Sequence, residues 1–266
     1  MLRRFFAGLL AISLALPVQA APSDDVLDAL QLDQLLTIMR QEGVTYGQEM
    51  AADMFAGGEN AQWQGLLDQI YDISKMEELV RTQFGQALGD ADTDALLAFF
   101  QSDLGKQVVG LELSARRAMI DDAIEQVARQ SYYEADEDEI KGITDFIEAN
   151  DLIEANVTGA LNASFQFYRG LVDGGGIELS EGEILSDVWA QEDETRIDTR
   201  EWIYGFLMMA YGPLDEAELD TYVAFSSSPE GRALNQALFA GFNQMYDDIS
   251  YALGLAAAQQ MQGQDL

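Results

Sequence analysis

The chain has no cysteine and no histidine, and its 266 residues hold only 14 Lys or Arg against 47 Asp or Glu. Without cysteine there is no disulfide and no thiol nucleophile, so stability has to come from packing. Without histidine no Ser-His-Asp triad can form. With both absent, the usual ligands of zinc and other transition metals are gone. Three lysines, Lys75, Lys106 and Lys141, are the whole supply for a Ser-Lys dyad. Clustered Lys and Arg are also what phosphate binding needs, so a formal charge of −33 repels nucleic acid and anionic lipid. That charge suits solubility, cationic partners and a salty medium that screens the repulsion. No stretch alternates polar and apolar residues for long enough to read as a strand.

What is present begins with a leader. Arg3 and Arg4 precede an apolar stretch from Phe5 to Leu16, too short to span a bilayer, and Pro17-Val18-Gln19-Ala20 supplies a small-residue cleavage site. Residues 1–20 therefore read as a bacterial signal peptide, with the remainder periplasmic or secreted and carrying no membrane span.

Apolar residues recur at helical spacing almost throughout. Ser23 reads as the cap of a first helix carrying Val26, Leu27 and Leu30. Val109, Leu113, Ile120, Ile124 and Val127 form one later stripe, and Leu234, Leu238, Phe242, Met245, Ile249 and Leu253 the longest. The expected fold is all-α.

The chain also repeats itself. Phe99, Ser102 and Gly105 return as Phe225, Ser228 and Gly231, each 126 positions on, and at the same offset Trp63 meets Trp189 and Asp72 meets Asp198. Met119-Ile120-Asp121-Asp122 meets Met245-Tyr246-Asp247-Asp248. A self-similar chain is read first as copies of one unit. The expected organisation is two tandem helical-bundle repeats packed together, 21–133 and 134–266, joined at the acidic run 134–139. Aligning Ile38-Met39 with Phe146-Ile147 needs an offset of 108, which places an insertion near 170–182. That region holds Asp173-Gly174-Gly175-Gly176, read as a flexible loop.

The repeated motif has a local physical reading. Asp215 caps a short helix with Glu218 at the capping-box position. Ser228 caps the next, followed by Pro229 at its first position and Glu230 in its first turn. Ser102 does the same in the earlier copy. Gly105 and Gly231 stand where a Cβ prevents close approach, and Phe99 and Phe225 plug the corner. This Phe-x-x-Ser-x-x-Gly corner, with Ala98-Phe99-Phe100 before it and Lys106 after it, resembles the core of a bacterial secreted family catalogued as domain of unknown function 2059. In the second corner Ser226 replaces the second aromatic and Arg232 replaces the lysine. The resemblance implies an exported helical protein with no established activity.

Candidate sites are few. Asp90-Ala91-Asp92-Thr93-Asp94 starts like a calcium loop, but Ala95 and Gln101 stand where Gly and Glu are required, so helix capping is the better reading. Trp63 and Trp189 read as core aromatics. The pairs Asp121, Asp122 and Asp247, Asp248 are the only candidate catalytic residues, for an Asp/Glu-dependent hydrolase. No cofactor or metal is implied. The leading expectation is a non-catalytic envelope protein that binds an unidentified protein or small ligand in a groove between the two units. A hydrolase and a self-associating structural protein are the alternatives.

Overall fold

The computed structural model describes residues 22–55, 58 and 60–264; the expected leader lies outside them. Among the described residues every regular element is a helix. In order they are α1 (Pro22–Ala29), α2 (Leu32–Met54), α3 (Ala61–Ile70), α4 (Ile73–Leu88), α5 (Thr93–Phe100), α6 (Asp103–Ala118) and α7 (Asp122–Glu134). There follow α8 (Lys141–Ala149), α9 (Leu152–Asp173), α10 (Glu181–Trp189), α11 (Glu192–Tyr211), α12 (Glu216–Ser226) and α13 (Pro229–Gln264). None of these helices is long and apolar enough to cross a membrane.

The helix starts follow local chemistry. Asn60, Asp72, Asp92, Ser102, Asp121, Ser180 and Asp215 each accept a hydrogen bond from a backbone N–H of the following turn. Asp215 and Ser180 complete capping boxes with Glu218 and Glu183. Asp92 is the cap of α5, its Oδ1 accepting from the Ala95 N–H at 3.1 Å. Ser23 does not cap α1: the helix already includes Pro22, whose fixed φ and missing N–H suit the first turn.

Both Ser-capped corners have the same geometry. Ser102 and Ser228 accept from the N–H of Gly105 and Gly231 at 3.1 and 3.0 Å. A Cβ on either glycine would collide with the carbonyl oxygen of Phe99 or Phe225, one helix back. Gln31 and Asp151 are a second matched pair, both left-handed without being glycine (φ 56° and 51°) and both placed just before a long helix, α2 and α9.

The largest core joins α1–α6 with Leu171 of α9 and with α13, whose Leu234, Ala237, Met245, Ile249 and Leu253 are all buried. A second core gathers Val108 and Ala115 of α6 with residues of α8, α11 and α12. A third, smaller one holds Val157, Leu161, Ile184 and Val188 between α9 and α10. Helix packing crosses the chain in a reciprocal way: α13 packs along α4, while α11 packs along α6 and α7. Glycine sets the closeness of both crossings. A Cβ on Gly241 would come 3.2 Å from the Val80 carbonyl oxygen, and one on Gly205 would come 2.8 Å from the backbone of Ala128.

Three expectations need correcting. Trp63 is fully buried, its indole N–H donating to the Gly47 carbonyl at 2.9 Å, but Trp189 is 61 % exposed at the end of α10, where no neighbouring helix covers it. The stripe from Val109 to Val127 is broken by the turn at 119–121, so Val127 is 67 % exposed on a separate helix. The glycine run is not loose: α9 runs unbroken through Gly170, and a Cβ on Gly174 or Gly176 would strike Ala258 at 2.5 or 2.9 Å. Small residues serve there to seat the chain against α13.

Candidate functional site: a groove between α2, α9 and α13

Helices α9 and α13 run side by side in the same direction. Asn235 donates its amide N–H to the Asn150 carbonyl at 2.7 Å, and Tyr251 donates its hydroxyl to Asp173 at 2.9 Å. Near the Tyr251 end Gly170 and Gly254 lie so close to the opposite backbone that neither has room for a Cβ. Earlier in α9 the face is small (Gly159, Ala160, Ala163, Ser164), and it forms the floor of an open groove. The wall opposite is α2, with Leu35, Met39, Glu42 and Tyr46; Gly43 leaves room for the Tyr71 ring. Arg116 of α6 and Trp202 of α11 also line the groove, and Phe239, Phe242 and Tyr246 project from α13. The cavity is about 760 Å³.

One ion pair belongs to the groove. Arg116 donates from Nε and Nη2 to the two carboxylate oxygens of Glu42, at 3.0 and 2.8 Å, with its guanidinium 6.0 Å from the centre of the Trp202 ring. Burial opposes the charge on Arg116, but Tyr246 and Glu42 beside it more than restore it, so the guanidinium stays protonated. Burial pushes the Tyr71 hydroxyl well above its ordinary value, and Tyr246 and Tyr46 add to that, so it stays a neutral phenol. The side chains of Asn243, Ser164 and Ser250 line the groove without a hydrogen bond to any described residue.

The four candidate carboxylates fall in different settings. Asp121 accepts from the Ala123 N–H at 2.9 Å and is the N-cap of α7, so it has the structural duty that its sequence context did not reveal. Asp122, in the first turn of α7, is exposed. Asp247 and Asp248 lie within α13. Asp248 accepts from Gln244 at 2.9 Å and lines a second groove of about 660 Å³, between α3, α4 and α13. Asp247 lies on the α13 face between Asn243 and Ser250; its Oδ1 is enclosed and has no hydrogen-bond partner among the described residues. Burial, and then Asp248, raise its carboxyl above the ordinary value of 3.8. Neither groove is lined by Asp121 or Asp122.

A buried polar network lies in the second core. Tyr211 and Tyr222 both donate their hydroxyls to Oε1 of Glu112, at 2.6 and 3.1 Å. Burial raises the Glu112 carboxyl, and the two hydroxyl bonds only partly offset this. Glu112, Arg116 and Glu42 escape a reading of the sequence because their partners stand far along the chain. Arg116 looks like an ordinary basic residue near a helix end.

The comparisons bear on the helices that carry Arg116. Residues 74–131 match a bacterial family described as an uncharacterized protein conserved in bacteria, DUF2059. The matched stretch runs from α4 to α7 and contains the corner at Phe99, Ser102 and Gly105; α11 to α13 lie outside it. No curated protein and no solved structure matches the chain.

Proposed function

We propose that this is a non-catalytic binding protein of the bacterial envelope and that the α2–α9–α13 groove is its binding site. The observation that carries the proposal is the groove itself: about 760 Å³, walled by aromatic and aliphatic side chains, with neutral polar groups that lack partners among the described residues. A mostly apolar concavity with a few placed polar groups is the usual form of a small-ligand site, and its volume is of the usual size. The separate settings of Asp121, Asp122, Asp247 and Asp248 speak for binding over hydrolysis. The charged start, short apolar stretch and small-residue site of residues 1–20 support export.

The reading also takes the chain as two tandem copies that exchange helices. The shared geometry of the two corners supports it, as does the reciprocal packing of α4 with α13 and of α11 with α6 and α7. The paired left-handed residues Gln31 and Asp151 align α2 with α9 at an offset of 120. That alignment replaces the offset of 108 and makes the insertion before α11 shorter. The groove then lies where the copies interlock, since α2 and α6 come from one and α9, α11 and α13 from the other.

Native mass spectrometry of the protein isolated from its own envelope tests the proposal, with Ser164→Trp as the comparison because it fills the groove floor. A small molecule retained by the native protein and lost from a folded Ser164→Trp variant is the expected result. Equal retention by both places the ligand elsewhere, and no retention by either removes the support for the groove.

A further inference from the structure

We infer that the groove selects an uncharged amphiphile, a molecule with a hydroxyl- or amide-bearing head group on an apolar body. The inference rests on reading the groove as the binding site and goes on to name the class of ligand. Its basis is that the groove contains charge but offers none. The guanidinium of Arg116 gives Nε and Nη2 to the two carboxylate oxygens of Glu42 and has Trp202 beside it, so each charge already has its counter-charge and the pair presents no net charge to a ligand. Asp247, the acid next to this face of α13, has one carboxylate oxygen enclosed away from solvent.

An anion entering the groove therefore crosses the field of a strongly acidic chain and finds Arg116, the one basic residue among the described lining residues, already neutralised by Glu42. A cation finds the Glu42 carboxylate occupied in the same way. In either case a charge loses water without gaining a partner, which is costly. Neutral donors and acceptors meet the opposite situation. The Asn243 amide and the Ser164 and Ser250 hydroxyls have no partner among the described residues, and they line the same groove as Phe239, Phe242 and Tyr46. A hydroxyl or amide head can bond to the first group while its body covers the second.

Three probes with one octyl chain separate the possibilities: octyl glucoside, octylammonium and octyl sulfate, each below its micelle-forming concentration, titrated calorimetrically at neutral pH. Octyl glucoside is expected to bind at least roughly tenfold more tightly than either charged probe. Asn243→Ala should weaken it about fivefold. Glu42→Gln keeps the shape and releases Arg116, so the affinity of octyl sulfate relative to octyl glucoside should rise about tenfold. A charged probe that binds the native protein as tightly as octyl glucoside overturns the inference and leaves the groove as a binding site. Failure of octyl sulfate to gain on octyl glucoside in a folded Glu42→Gln variant overturns it in the same way. If no probe binds, the groove reading falls and the inference falls with it.

Discussion

Phe99 and Phe225 stack face to face, with ring centroids 3.8 Å apart and planes 6° from parallel. They are the same position of the two corner motifs, 126 residues apart in the chain. Each was expected to plug its own corner; instead each ring covers the other, and Phe100 meets Phe225 edge-on at 5.4 Å. The contact lies where both large cores meet, because Phe99 and Phe225 border each of them.

The stack should behave as a coupled pair. Phe99→Ala and Phe225→Ala are each expected to cost roughly 2–4 kcal/mol, less than full burial would give because both rings are half-buried. A double-mutant cycle by urea denaturation should show a coupling of about 0.5–1.5 kcal/mol. Strict additivity would mean that the rings share space without sharing energy.

The two serine caps are expected to be equivalent. Ser102→Ala and Ser228→Ala should each lose about 1 kcal/mol, and Ser→Asp at either site should lose little. Thermal unfolding of the four variants checks this. Loss at one site only would show that one corner is held by its packing and not by its cap.

Glycines divide by what surrounds them. Gly170→Ala and Gly254→Ala force the α9–α13 crossing apart and are expected to cost roughly 2 kcal/mol or more each. Gly65→Ala and Gly110→Ala sit in helices with nothing within 4 Å of the new Cβ, and should gain about 0.5–1 kcal/mol. Chemical denaturation that ranks the four in any other order contradicts the packing described.

Glu112 tests the buried network. Glu112→Gln keeps an acceptor for Tyr211 and Tyr222 and should be tolerated. Glu112→Leu leaves two buried hydroxyls without one and should cost roughly 2–4 kcal/mol. The position 126 further on is Leu238, so the change places there the residue found at that offset. Equal stability of the two variants would remove the network from the account.

Asp247 gives a pH dependence of definite sign. Its carboxyl is raised in the fold, so the native state holds a proton that the unfolded chain has already released above the ordinary value of 3.8. Stability from this group is therefore present at low pH and is lost as pH rises through the raised native value. Asp247→Asn should flatten that part of the stability profile and be more stable than the native protein at neutral pH. Parallel profiles for the two proteins would show that Asp247 does not titrate differently in the fold.

The helices and corners were legible because their determinants are local. A serine or aspartate with free backbone N–H groups after it makes a cap wherever it stands, as at Asp92, Ser102, Asp215 and Ser228. Trp189 misled because its match to the buried Trp63 is a match of sequence, and burial depends on what packs above. A binding groove was expected from the sequence, but not the residues that line this one. Glu42 meets Arg116 across 74 positions, and no spacing rule reaches that far.

The sequence alone determined that the chain is helical, where α5, α6, α12 and α13 start and that two corners share one design. Tertiary packing decided the path of the chain beyond each corner. Met119-Ile120-Asp121-Asp122 and Met245-Tyr246-Asp247-Asp248 are near-identical strings, yet the first breaks the chain between α6 and α7 and the second lies inside the 36-residue α13. In α13 the helix continues because Met245, Ile249, Leu253, Ala256 and Ala257 are buried between α4 and α9. After α6 the chain turns instead, Asp121 caps a new start, and α7 packs against α11. A helix of this length is held by the surface that it buries more than by its propensity, so the same string serves as a turn or as a helix according to its neighbours.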